Sequence, residues 1–322
     1  MHSTPFTDCS MILCSRIEEY RDIVVAVEHI VQAILFVMDL RRQDVHLLIE
    51  KYHTDTVLRE FSNHPPEKND VTSQSGTVSR HHSADAVILV EGSAENMLLP
   101  HFIRNKYPKL YQRYISILSI NGRHSHRLNP LIEKLCIPTL VIADMDSAEK
   151  EGHHKAACPE RGKGLISGNY TIAQWLVKEK DLDRLLAIPS AKKEIIKETP
   201  YKYSIRVAYQ TPVTIDYDGT VKEAIASTFE DCLVYTNYQL FKEISTDDTG
   251  SLVKRVSDEI DSANSFEDFH KGVYEILRNG KSDQKAEFAL DLIYAVDPNQ
   301  LIVPAYIDEG LEWLQSYLDP EE

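Results

Sequence analysis

The chain has 322 residues, 43% of them hydrophobic and 26% charged, with 50 acidic against 35 basic side chains and a formal charge of −15. This composition suits a folded, soluble chain with a sizeable core and excludes a disordered or membrane-embedded one. So acidic a balance argues against a passive nucleic-acid coat, though not against an enzyme whose carboxylates hold metal ions.

Residues 1–62 read as a helical N-terminal region. Ile23, Val24, Val27, Val31, Ile34 and Leu35 recur at helical spacing, and a second helix is expected around Asp44–Phe61. The stretch Ile23–Leu40 carries Glu28, His29, Gln32 and Asp39. It falls short of the roughly 20 apolar residues a membrane span needs. A buried or partner-facing helix is therefore expected, and no membrane. Residues 63–84 hold prolines, serines and histidines with almost no large apolar side chain, as in a linker. The cysteines (Cys9, Cys14, Cys136, Cys158, Cys232) are scattered, with no C-x-x-C pair. Free thiols and no secretory leader point to a reducing cytoplasm.

From Asp85 the pattern changes. Ala86–Val90 (AVILV) is a short apolar run of the kind buried on both faces of a sheet. A helix over Ser93–Lys106 follows, then a strand at Tyr114–Ile120, a short helix at Leu128–Leu135 and a third strand at Pro138–Ala143. Strands alternating with helices over short connections predict an α/β fold with a parallel sheet. Residues 203–217 suggest one more strand, and 221–243 are compatible with either strand or helix. Leu252–Leu318 reads as helical, broken at Asn279-Gly280 and Pro298.

The first buried strand runs into Glu91-Gly92-Ser93-Ala94-Glu95, and the third into Asp144-Met145-Asp146. In an open parallel sheet the carboxyl ends of the strands line the ligand crevice. Glu91, Glu95, Asp144 and Asp146 are thus expected to meet there, with Glu95 one helical turn beyond Glu91. Four converging carboxylates repel one another, and hard divalent cations with oxygen ligands, Mg²⁺ or Mn²⁺, relieve that repulsion. Two such ions about 4 Å apart can activate water and stabilise the leaving oxygen of a phosphodiester.

The runs AVILVEGSAENMLLPHFI and ISILSINGRHSHRLNPLIEKLCIPTLVIADMDSA resemble the Toprim domain of OLD-family (overcoming lysogenization defect) nucleases. The likeness continues through SIRVAYQTPVTI, STFEDCLVYTN and KAEFALDLIYAVDPNQLIVPAYIDEGLEWLQSYL, over roughly residues 83–318. It implies a Toprim domain core over 85–200, a Rossmann-like parallel sheet with flanking helices. It also implies a mostly helical C-terminal extension over 201–322 that completes the nuclease site. Under the resemblance Glu91, Glu95, Asp144 and Asp146 match the metal-binding acids, and Glu230 the further acid of a second metal. Lys285, rather than Lys281, matches the lysine near the scissile phosphate, where an ammonium offsets developing charge. Glu91 is also the acid expected to help move a proton. The implied activity is metal-dependent cleavage of DNA, with phage defence as its setting and a homodimer as its assembly.

One departure stands out. OLD nucleases carry an ATPase domain ahead of the Toprim, and no G-x-x-x-x-G-K-[ST] loop is found here. Gly280-Lys281-Ser282 has Glu275 in place of the first glycine, and Gly162-Lys163 has Ala157 there. ATP binding is not expected, and a partner ATPase acting in trans becomes the competing expectation, with this chain a catalytically weak Toprim protein. His81-His82, His124-x-His126 and His153-His154 with Cys158 match no structural zinc spacing. Arg123, His124, His126 and Arg127 follow the second strand on the crevice side, as backbone contacts to nucleic acid or as a solvated loop. Asn169 lies in a turn. Residues 85–242 hold 19 acids against 21 bases, so the net acidity belongs mainly to 243–322, with 19 against 6.

Overall fold

The structure is a computed structural model. It describes residues 84–120, 125–151, 154–198, 201–244, 250–296 and 300–320. The expected helices at 23–40 and 44–61, all of the linker but its last residue, and Arg123, His124 and His153 lie outside the described residues.

The apolar runs form the centre of a five-stranded sheet of order β2-β1-β3-β7-β6. Its strands are β1 (Ala86–Val90), β2 (Ile115–Ser119), β3 (Thr139–Ile142), β6 (Glu194–Lys197) and β7 (Tyr203–Ala208), while the short β4 (Ser147–Ala148) and β5 (Ile166–Ser167) pair antiparallel apart from it. The first four in that order run parallel, and β6 closes one edge antiparallel to β7. Every residue of β1, β3 and β7 is buried, which is why these strands read as unbroken rather than alternating patterns. One face of the sheet presents Ala86, Ile88, Val90, Leu140, Ile142 and Ala208 to the main core. The alternate residues Val87, Leu89, Val141, Ile205 and Val207 are buried as well. The chain is therefore an α/β protein whose parallel sheet is covered by helices.

Helix α1 (Ser93–Lys106) buries Leu98, Leu99, Phe102 and Ile103 under the sheet. The short helices α2 (Pro108–Tyr111), α3 (Asn129–Leu135) and α4 (Leu182–Leu186) belong to the connections. The C-terminal portion supplies α5 (Phe229–Thr236), α6 (Tyr238–Glu243), α7 (Leu252–Ser262), α8 (Phe266–Arg278), α9 (Ser282–Ala295) and α10 (Ala305–Leu318). Helix α9 lies along α1, and α10 packs on β3 and β7. Gly310 permits that last approach: a Cβ there would sit 3.0 Å from Leu140 Cδ1 and 3.2 Å from the Ala208 Cβ.

Two stretches differ from expectation. Residues 203–217 form two strands rather than one. β7 ends at Ala208, and β8 (Val213–Tyr217) pairs instead with β9 (Thr220–Ala224) in a separate hairpin. Pro212 between them has no N–H to continue a ladder. The ambiguous 221–243 region proves to be a strand followed by two helices. The switch occurs at Thr228, where Thr228 and Asp231 form a capping box that starts α5. The helices after Leu252 break at Asn279-Gly280 as expected, and again at Ala263–Ser265, where Ser265 caps α8 through Asp268 N.

Candidate metal centre

The site lies at the carboxyl ends of β1, β3 and β7 and is closed by the starts of helices. Glu91 is the first residue after β1 and is buried. Gly92 caps α1 in an extended conformation, so its backbone does not require glycine. Space does: a Cβ at Gly92 would lie 2.6 Å from Glu95 Oε2. The Glu95 side chain is thus folded back over the helix start. Its Oε2 is buried and accepts no hydrogen bond. Burial, then the charge of Glu230, push the Glu95 carboxyl up to about 7.

Asp144 follows β3 on the next strand. Its Oδ1 accepts hydrogen bonds from Phe229 N and from Gln210 Nε2, each at 2.9 Å. Its carboxyl is held well above the usual range by loss of solvent and then by Glu95, Glu91, Asp146 and Glu230. The other four acids are thus all within electrostatic reach of Asp144. Asp146 sits in the left-handed region (φ 49°), a conformation aspartate tolerates better than most residues. Its N–H donates to Ser227 O at 2.9 Å, and its carbonyl accepts from Gly168 N at 2.8 Å.

Glu230, buried in the first turn of α5, accepts a 3.0 Å hydrogen bond from Lys285 Nζ on α9. Burial opposes the charge on Lys285, but Glu230, Asp144 and Glu95 together hold its ammonium above the ordinary lysine range. Lys281, one turn earlier, is exposed. Lys285 therefore faces the acids and Lys281 does not.

Two amides complete the arrangement. Asn169, fully buried, donates through Nδ2 to Glu91 Oε1 at 2.6 Å and to Asp144 O at 2.7 Å. Gln210, also fully buried, accepts from Met145 N at 2.7 Å and donates to Asp144 Oδ1 and, at 3.3 Å, to Tyr306 Oη. Gln210 was legible in principle, since it follows a buried strand at the same sheet edge as Asp144. Asn169 gave only a turn signal. Of the other histidines and cysteines, His154 Nδ1 lies 3.3 Å from Glu149 O, and Cys158 Sγ lies 3.5 Å from His270 Nδ1.

The donor set suits hard cations. It offers five carboxylates, one of them with a buried oxygen lacking any donor, against a single lysine. In this arrangement, however, no three His, Cys, Asp or Glu side chains close around one common point among the described residues. Protein donors hold one oxygen on each of three acids instead: Asn169 on Glu91, Gln210 and Phe229 N on Asp144, and Lys285 on Glu230.

Residues 84–146, which contain four of these acids, match the family model "Overcoming lysogenization defect protein-like, TOPRIM domain". This segment is an OLD-like Toprim domain. The match places β1 and β3 with their acidic ends inside the Toprim core, while Glu230 and Lys285 lie beyond it. Among characterised proteins, the chain is similar to "Endonuclease GajA" of Bacillus cereus (strain HuB5-5), 28% identical over 247 residues. That alignment covers 74% of this chain, but the chain spans only 32% of the relative's length. Among solved structures, the C-terminal region of the Burkholderia pseudomallei OLD protein aligns at 20% identity and a TM-score of 0.37, over 73% of this chain and 98% of that one. The corresponding region of the Xanthomonas campestris pv. campestris OLD protein aligns at 19% identity and a TM-score of 0.36, over 73% and 96%. Among the described residues no helix is long and apolar enough to cross a membrane.

Proposed function

We propose that this chain is a metal-dependent nuclease that hydrolyses DNA phosphodiesters at the Toprim site, with restriction of phage as the setting the family suggests. One observation carries the reading. Carboxylates from β1, α1, β3 and α5 gather at one sheet edge with a buried oxygen on Glu95 that lacks a donor, and among the described residues Lys285 is the lysine that meets them. Such a cluster is unfavourable unless cations enter it.

In this reading Glu91, Glu95, Asp144, Asp146 and Glu230 hold Mg²⁺ or Mn²⁺, in the two-ion form that phosphodiester chemistry favours. Bound there, the ions would supply Lewis acidity and a lowered water pKa. The chain's own residues do the rest. Asn169 and Gln210 each hold one carboxylate oxygen, of Glu91 and of Asp144, and so limit the orientations those two side chains take. Glu91, first off β1, is placed to take a proton. Lys285 brings a cation that leaves Glu230 for the phosphate and opposes the charge growing on its oxygens.

A second reading has one observation in its favour. Glu91, Asp144 and Glu230 each have an oxygen held by a protein donor, and among the described residues no three acids converge, as expected of a catalytically weak Toprim protein that serves a separate ATPase. Plasmid nicking with Mg²⁺ or Mn²⁺, wild type beside Asp144→Ala, separates the two. The nuclease reading expects nicking by the wild type alone. Metal-dependent cleavage no greater than that of the variant would reject it.

A further inference from the structure

Next in sequence to Asn169 stands an exposed aromatic residue that the proposed chemistry does not use. Tyr170 is 52% exposed, while the flanking Asn169, Thr171 and Ile172 are each fully buried. The side chain is therefore turned outward by a backbone fixed on both sides. Asn169 is the amide that clamps Glu91 and Asp144, so Tyr170 stands one residue from the site. The segment that follows, Thr171–Leu176, is a π-helix, a rare conformation found mostly at functional sites. A second ring stands close by. His126 lies with its centroid 6.1 Å from that of Tyr170, the planes at 55°. It lies in the 3-10 helix Ser125–Leu128, and the end of β2 is tied to β1 by Ile120 N donating to Val90 O at 2.9 Å. Arg127, next along, is exposed.

We propose that Tyr170 is a stacking platform for an unpaired nucleobase next to the phosphodiester at the acidic site, so that the preferred substrate is single-stranded or locally opened DNA. The proposal rests on the nuclease reading for its substrate. Its logic is geometric. A base inside a duplex already stacks on both neighbours, and only one that is unpaired or extruded can lie on a protein ring. Every base offers a π-face, so a tyrosine here gives affinity without sequence preference. Arg127 supplies the cation that a neighbouring phosphate needs. Tyr170 is thus a positioning residue, and it makes no contact with the reacting atoms.

The test is binding of the full chain, in Ca²⁺ buffer, to a single strand containing 2-aminopurine and to the same strand annealed to its complement. Wild type is expected to quench the fluorescence on the single strand. Tyr170→Ala should weaken single-strand binding by about 5- to 150-fold, the range for loss of one stacked base. Tyr170→Trp should restore it, and duplex affinity should move by less than about twofold in either variant. Melting temperatures matching wild type would show that both variants are folded. Three results would overturn the proposal: no single-strand binding by wild type, single-strand affinity within about twofold in Tyr170→Ala, or an equal loss on duplex. A failure of the nicking assay would reject the nuclease reading, while these binding constants would still decide the role of Tyr170.

Discussion

Lys285 meets the acid cluster at Glu230, and that contact bridges α9 and α5 at 3.0 Å. The Lys285 side chain is 24% exposed and that of Glu230 is 4%, so the pair is mostly shielded from water. Removing one member leaves the other's charge buried and adds to the repulsion from Glu95 and Asp144. Lys285→Met is therefore expected to lose on the order of 3 kcal/mol of stability in EDTA. The double variant Lys285→Met/Glu230→Gln should recover much of it. Urea unfolding measures both, and a single variant as stable as wild type would mean that the ammonium does not neutralise the cluster. At this scale legibility was uneven. Glu91, Asp144 and Asp146 could be read because a strand buried on both faces forces its first polar residue to the sheet edge. Glu230 and Lys285 could not: a helix-start acid and a helix-surface lysine look alike whether or not a site faces them, and the family resemblance alone singled them out. Asn169 carried only a turn signal and Gln210 was not singled out, because what each amide does depends on which carboxylates the fold brings within reach.

Elements were legible where one physical constraint dominated. β1 and β3 are continuous apolar runs because both faces are covered, and α1 starts where Gly92 breaks the strand. The stretch 203–217 misled because residues 213–217 also suit a strand, while only Pro212 marks the change of sheet. The same region shows how α8 is held. His270 Nε2 donates to Ile225 O at 2.9 Å, at the end of the hairpin that precedes α5. Cys158 Sγ, the Tyr235 ring and the Phe266 ring pack around the imidazole, and Glu160 and Glu267 are the charges that reach it. Burial lowers its pKa below the ordinary 6.5, against the raising effects of the Ile225 carbonyl and the two glutamates. The folded state thus binds this proton less readily than the unfolded state does. Stability from a neutral His270 is complete above 6.5 and is lost as pH falls through and below that value. The stability gap between wild type and His270→Gln should therefore shrink in acid, as measured by urea unfolding between neutral pH and pH 5. A gap independent of pH would show that the imidazole does not titrate with folding.

For the molecule as a whole, the formal charge of −15 is unevenly spread, with residues 85–242 close to neutral and 243–322 carrying the excess of acids. The charge at the site matters more than the sum, because it is buried and poorly screened. The site also joins the parts of the fold. Its acids come from the ends of β1 and β3, from α1 and from α5, so an ion bound there would stabilise all of them together. This predicts a reversal. Glu95→Gln removes a buried charge that stands against Glu230 and whose Oε2 meets no donor, so in EDTA the variant should melt higher than wild type. Saturating Mg²⁺ or Mn²⁺ should raise the wild type by about 2.7 kcal/mol at a hundred times the dissociation constant, and the variant by much less, so that the order inverts. Divalent ions also screen an acidic chain non-specifically, and that part must appear equally in both proteins and in monovalent salt of matched ionic strength. Thermal melts of the two chains across a metal titration distinguish the contributions. If the curves shift in parallel, the divalent ion is not held by Glu95. If the variant already melts below wild type in EDTA, the carboxylate is compensated within the fold, and the argument for a cation at this site loses its main support.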